Sequence, residues 1–117
     1  MIQARLTIFA FPNRREELVT SIRTLIESSQ LDTGCLDCRL YADVSDPNAL
    51  MLLEEWATRS DMARRLRSAA YGQLLQLVEL SRLPPETVFH TVTETSGIEA
   101  IRQIRLPAFG PRPVEKA

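Results

Sequence analysis

Residues 35–57, CLDCRLYADVSDPNALMLLEEWA, decide the fold. Through the first ten of them Leu36, Cys38, Leu40, Ala42 and Val44 share one parity, and Asp37, Arg39, Tyr41 and Asp43 take the other. Alternation at period two marks a half-buried strand. Ser45-Asp46-Pro47-Asn48 then supplies a turn, because proline presets φ at about −65° and Asp and Asn hydrogen-bond their own backbone. Residues 49–57 read as the returning strand, which gives an antiparallel hairpin. Glu54 and Glu55 are neighbours on it and face opposite ways, one semi-buried and one solvated, so they do not converge on one metal or one proton.

The same stretch opens with the chain's only two cysteines, Cys35 and Cys38, spaced C-x-x-C. Redox pairs of that spacing sit at a helix N-terminus, where the dipole activates the first thiol. On a regular strand, positions i and i+3 face opposite sides. Cys38 is therefore expected with Leu36 and Leu40 on one layer, and Cys35 with Asp37 on the other. Thiols so placed neither bridge nor bind zinc without two more ligands.

Working outward, residues 2–11 alternate again, Ile2, Ala4, Leu6, Ile8 and Ala10 against Gln3, Arg5, Thr7 and Phe9, and predict a first strand. Asn13 with Glu16 resembles a capping box. Beyond it Leu18, Val19, Ile22, Leu25 and Ile26 share one side of a helix that ends near residues 28–30. After the hairpin, Thr58 and Asp61 open a second helical region. Its stripes, Met62-Leu66-Ala69-Ala70 and Tyr71-Leu74-Leu75-Val78, would lie roughly 160° apart on one continuous helix. A break at Ser68, capping a second segment, resolves this into helices over 60–67 and 69–81. Pro84-Pro85 ends the helix. Residues 86–94 predict a last strand, with Val88, His90 and Val92 on one face. Ser96 and Glu99 suggest another cap before a short helix carrying Ile98, Ile101 and Ile104, and a Pro-rich tail follows from Pro107.

The order is β-α-β-β-α-β with a C-terminal extension: an α+β, ferredoxin-like fold with a four-stranded antiparallel sheet and its helices on one face. The opposite face, carrying Phe9, Phe11 and Tyr41, calls for a cover, and a second copy closing it as a homodimer is the expected one.

At 117 residues the chain has the length of one domain. Its 14 basic and 15 acidic residues balance to a net charge of −1, which disfavours nucleic acid as a partner. No apolar run approaches the ~20 residues of a membrane span. Residues 1–9 lack a signal-peptide layout, and two cysteines fit a reducing cytoplasm.

Residues 33–80 resemble the antibiotic biosynthesis monooxygenase superfamily. The resemblance is carried by Gly34-Cys35 opening the second strand, Asp46-Pro47-Asn48 at the hairpin, Glu54-Glu55-Trp56 closing it, and the broken helix over 60–80. It covers about residues 2–94, so residues 1–95 form the family-like domain and 96–117 a short helix and tail. It implies a dimeric α+β barrel with a pocket between sheet and helices in each subunit. It further implies a cofactor-independent monooxygenase that acts with O2 on a small aromatic of quinol or polyketide type. A non-catalytic ligand-binding or interaction module, and a small-metabolite isomerase or lyase, are the alternatives on the same scaffold. Relatives often carry a histidine where this chain has Ser68-Ala69-Ala70-Tyr71. No histidine precedes His90, which argues against haem ligation of the kind found in haem-degrading relatives.

Three residues are the candidates for chemistry. His90 is expected to face an apolar layer, and imidazole titrates nearest neutrality, so it could take a phenolic proton. Trp56 offers a flat wall and an indole N–H. Tyr71 offers a hydroxyl to orient a substrate oxygen. Each has a structural alternative: a core or interface histidine, a packing tryptophan, a tyrosine at the edge of the core. Arg64, Arg65 and Arg67 read as a solvated helix face. Arg5 and Arg39 on strands are expected to pair with Asp37 or Asp43. No cofactor-binding or metal-binding motif stands out.

Overall fold

The computed structural model describes residues 1–107. Strand β1 spans Ile2–Phe9, helix α1 Arg15–Ser29 after a 3-10 turn at Pro12–Arg14, strand β2 Cys35–Ala42 and strand β3 Ala49–Trp56. Helices α2 Arg59–Leu66 and α3 Ala69–Val78 follow, then strand β4 Glu86–Thr91 and helix α4 Ile98–Arg105. The sheet order is β2-β3-β1-β4 with every neighbouring pair antiparallel. This is the expected ferredoxin-like arrangement, with α4 appended. Most of the expected Pro-rich tail, residues 108–117, lies outside the described residues.

Register assigns the two faces of the sheet. Leu6 opposes Leu52, Ile8 opposes Leu50 and Leu40 opposes Leu52, all facing the helices. There they pack with Leu18, Ile22 and Ile26 of α1 and Leu74 of α3 as the main core. Ile2, Trp56 and Met62 form a smaller cluster at the end of the sheet near α2. The other face carries Gln3, Arg5, Thr7 and Phe9 beside Ala49, Met51, Leu53 and Glu55, with no element among the described residues over it.

The break at Ser68 is present. Ser68 Oγ accepts the Tyr71 N–H at 3.1 Å and caps α3, and Thr58 Oγ1 accepts the Asp61 N–H at 3.1 Å and caps α2. The other two expected caps are corrected. Asn13 lies within the 3-10 turn, and α1 begins without a side-chain cap. Gly97, not Ser96, precedes α4.

Strand β2 departs from simple alternation. Cys35 pairs with Trp56 and Asp37 with Glu55, so Leu36 is an extra residue, a β-bulge. Leu36 is exposed instead of facing the helices, and Cys35 lies on the same side as Cys38. The expected opposition of the two thiols is thereby overturned. The bulge follows Gly34, whose φ of +82° only glycine adopts at little cost. A Cβ at Gly34 would also overlap the Asp61 side chain at the start of α2. Hence this glycine lets the hairpin and α2 approach, and Ala57 N–H closes the corner on Gly34 O at 2.8 Å.

Two further placements differ from expectation. Phe11 leaves the sheet and lines a groove with Leu18 and Leu80. On β4, His90 opposes Gln3 and Val88 opposes Arg5, so both face the uncovered side, not an apolar layer under the helices.

Candidate functional site

Glu54 is the third inward residue of β3, between Leu52 and Trp56. A carboxylate at that position loses its water and must be met by donors. It is met from α2. The Thr58 cap sets the phase of that helix so that Met62 and Arg65 fall one turn apart on its inner side, and Arg65 is only 2% exposed. Its Nη2 and Nε donate to Glu54 Oε2 at 3.0 and 3.2 Å. The indole Nε1 of Trp56 donates to Glu54 Oε1 at 3.2 Å. Cys38 Sγ lies 3.8 Å from Oε2, and Ser29 Oγ is 3.2 Å from the same sulfur.

Tyr71, in the first turn of α3, closes the cluster. Its ring lies 5.4 Å from Arg65 Cζ, within reach of a cation–π contact. Burial first, and the Glu54 carboxylate second, push the Tyr71 hydroxyl above its ordinary pKa, with Arg65 opposing. At neutral pH it is therefore a phenol, a hydrogen-bond donor. Burial likewise raises the Cys38 thiol to about 12, and Glu54 adds to the rise while the Ser29 contact opposes it. Burial also raises Cys35, aided by Glu54. Both cysteines are free, and neither environment favours a thiolate.

One atom of the cluster stands out. Arg65 Nη1 is buried and has no hydrogen-bond partner among the described residues. An orphan donor on a buried cation costs about 1–3 kcal/mol or more, so a site that keeps one is suited to receive an acceptor. Beside the cluster, Glu54, Tyr71, Leu52, Phe89 and Thr87 line a cavity of about 10 Å³, room for about one water. Phe89, part of its lining, is exposed.

Of the three candidates, the structure joins two and separates the third. Trp56 and Tyr71 meet around Glu54 and Arg65, but Trp56 is wholly enclosed, so it orients the carboxylate and offers no open wall. His90 sits on the other face of the sheet with its Nε2 3.5 Å from Arg5 Nη2. Arg39 pairs with Asp37 at 3.0 Å, as expected, whereas Arg5 does not. Arg65, expected on a solvated helix face, is buried instead. The usable signal was its helical phase, three residues after Met62. Among the described residues no three His, Cys, Asp or Glu side chains gather to hold a metal ion, and no helix is long and apolar enough to cross a membrane.

A larger cavity lies elsewhere. A cleft of about 620 Å³ runs between α1 and the outer edge of β2, with Val19, Ile26, Leu40 and Leu50 beneath and Arg15, Arg23 and Arg39 at its rim. It touches the cluster through Cys38.

Comparison with known proteins places this arrangement. The family model for antibiotic biosynthesis monooxygenase matches residues 1–76. A crystal structure of an antibiotic biosynthesis monooxygenase superposes with a TM-score of 0.72 at 21% identity, covering 80% of this chain and 100% of that one. A candidate antibiotic biosynthesis monooxygenase of Deinococcus radiodurans gives 0.78 at 17% identity, covering 84% and 98%. An uncharacterized Synechocystis protein, sll1783, is 24% identical over 88 residues, 74% of this chain. The matched segment spans 60% of that relative's length. With the β2-β3-β1-β4 sheet and its layer of helices, the chain belongs to the antibiotic biosynthesis monooxygenase family.

Proposed function

We propose that the protein is a monooxygenase that oxidises a small aromatic of quinol or polyketide type with O2, at the Glu54–Arg65–Tyr71 cluster. The observation that carries this reading is the unpartnered Nη1 of Arg65, buried beneath the Tyr71 ring. A phenolate oxygen is the acceptor that suits it, and because the adjoining cavity has room for about one water, only that oxygen enters while the ring stays outside. Arg65 offers positive charge and a fixed N–H in a buried position, and Tyr71, which lines the adjoining cavity, offers a hydroxyl as a second donor. Glu54, oriented by Trp56, holds the guanidinium in place. An electron-rich phenolate can pass an electron to O2 and then recombine with it through a new C–O bond. Cleavage of the O–O bond leaves a carbonyl on the substrate, and the second oxygen atom departs as water with two protons. Over the whole reaction one CH2 group and one O2 become one C=O and one H2O, and the substrate itself is the reductant.

An oxygen electrode with anthrone and dihydroxyaromatic substrates, without added flavin or metal, tests this. The expected result is substrate-dependent O2 uptake that falls at least ~100-fold in kcat in Arg65→Met and also falls in Tyr71→Phe. His90→Ala belongs in the same series. Full activity there removes His90 from the chemistry, and a loss assigns it a proton-transfer role from the uncovered face.

A second reading follows from the α1–β2 cleft, whose volume is within the range of small-ligand sites. It is a non-catalytic binding module for a small ligand. Thermal stabilisation by such ligands without any O2 uptake would select it.

The uncovered sheet face supports a homodimer. Phe9, Met51, Leu53, Tyr41 and Val88 share it, and β4 is exposed on both of its faces. A strand bare on both sides is unusual in an isolated domain, and a second copy stacked face to face supplies a self-complementary cover.

A further inference from the structure

Strand β4 and helix α4 are both left bare, and they are consecutive in the chain. Thr87 opposes Leu6 and Phe89 opposes Ala4, so both lie on the helix side of the sheet. The helices nevertheless leave them exposed, Phe89 by 47%. In α4 every residue except Ala100 is exposed, with Ile98, Ile101 and Ile104 at 52%, 54% and 69%. Those three isoleucines share an arc of about 120°. Arg105 falls on the same side in the last turn, where its stem can lie along the stripe with the guanidinium in water. Among the described residues no hydrogen bond or ion pair joins α4 to the rest of the chain.

The connection between them lets the two surfaces meet. Val92 N–H still bonds Met1 O at 2.8 Å, so the free connection is residues 93–97. That stretch reaches about 17 Å when extended, and strand-to-helix connections of about two to six residues are the common ones. Helix α4 has 8 residues and is about 12 Å long. The rise from Thr87 to Thr91 is of the same length, at about 3.3 Å per residue. Laid antiparallel over β4, the helix sets its isoleucine stripe against Thr87, Phe89 and Thr91, the bare positions on the helix side.

The candidate site lacks such a cover. Its small cavity is lined in part by Thr87 and Phe89, together with Glu54 and Tyr71. An aromatic substrate whose oxygen enters there leaves its ring outside, against Phe89, with solvent above it. Oxidation of a phenolate gains from removal of that water, since charges in a dry site interact more strongly and reactive intermediates are shielded. Aliphatic side chains closing over the ring remove the water and add apolar contact.

We infer that α4 is a lid: it folds over β4 of its own chain, with Ile98, Ile101 and Ile104 against Phe89 and the substrate ring, and closes the outer wall of the site. What it covers rests on the monooxygenase reading above, whereas where it docks rests on the strand and helix alone, and the test reads the two apart. A photo-crosslinking residue replaces Ile101 in the full chain, and ¹⁵N-labelled and unlabelled chains are mixed, irradiated with and without an anthrone substrate, and digested. The expected products are same-isotope peptide pairs joining position 101 to residues 86–91, in greater yield with the substrate. In oxygen-electrode assays Ile101→Glu is expected to raise KM for that substrate about tenfold, the equivalent of one lost aliphatic contact, with Ile101→Leu close to the unaltered chain. Links to other parts of the chain, mixed-isotope pairs, or a KM untouched by Ile101→Glu would overturn the lid while leaving the chemistry standing. No O2 uptake by the unaltered chain would overturn the monooxygenase reading instead, and same-isotope links to residues 86–91 would then still support the docking of α4 on β4.

Discussion

The buried Glu54–Arg65 ion pair joins β3 to α2, and its energetics are testable. Removing the carboxylate strands a buried guanidinium, so Glu54→Ala is expected to cost about 3–5 kcal/mol in urea unfolding. Replacing both partners together, Glu54→Leu with Arg65→Met, is expected to recover most of that loss, because apolar pairs of similar volume substitute well for buried ions. The double variant then separates stability from function: it folds and loses oxygen uptake. Gly34→Ala combines left-handed backbone with overlap on Asp61 and is expected to lose about 2 kcal/mol or more. The thiols give a pH prediction. Cys38 is held protonated in the folded state to about 12, above its ordinary 9.0. Between these values the unfolded chain sheds a proton that the folded chain keeps, so this contribution to stability is complete below about pH 9 and is lost as pH rises toward 12. Near neutrality a thiol reagent is expected to modify half-buried Cys35 first and Cys38 only after unfolding. Arg65 shows why the site was harder to read than the fold. Its helical phase pointed inward, but a cation in an Arg-rich run defaults to solvent, and only the buried Glu54 across the interface reverses that default.

At the level of elements, what could be read depended on whether the determining contacts were local. The hairpin at Asp46–Asn48, the Thr58 cap and the break at Ser68 are set by residues within a few positions, and all three are present. Ser68→Ala is expected to cost about 1 kcal/mol, measured by thermal or urea unfolding, through loss of the α3 cap, and to loosen the Arg65–Tyr71 stack. The bulge at Leu36 was not legible. The letters of residues 35–44 alternate without a fault, and the fault arises from the left-handed Gly34 and from pairing with Trp56 and Glu55 on another strand. One extra residue moved Cys35 to the other face and undid the parity argument for the cysteine pair. His90 failed similarly. Val88 and Val92 suggested a core face, but register against Arg5 and Gln3 places Val88 and His90 on the uncovered side.

At the level of the whole molecule, the layer of helices covers one face of the sheet, and among the described residues the other face and both sides of β4 are exposed. Leu53→Glu, at the centre of the uncovered face, is expected to shift light-scattering mass from dimer to monomer with little change in far-UV circular dichroism. The alternation of the strands was sufficient to assign the two faces of the sheet and to foresee that the helices cover one of them. It did not locate the cluster, because that depends on how α2 meets β3. The central claim is that this cluster inserts one atom of O2 into an aromatic substrate, and ¹⁸O2 labelling tests it most directly. With an anthrone-type substrate in ordinary water, the account predicts one ¹⁸O in each product molecule and the other in water, with incorporation abolished in Arg65→Met. Product lacking ¹⁸O, or labelling undiminished in Arg65→Met, would contradict it.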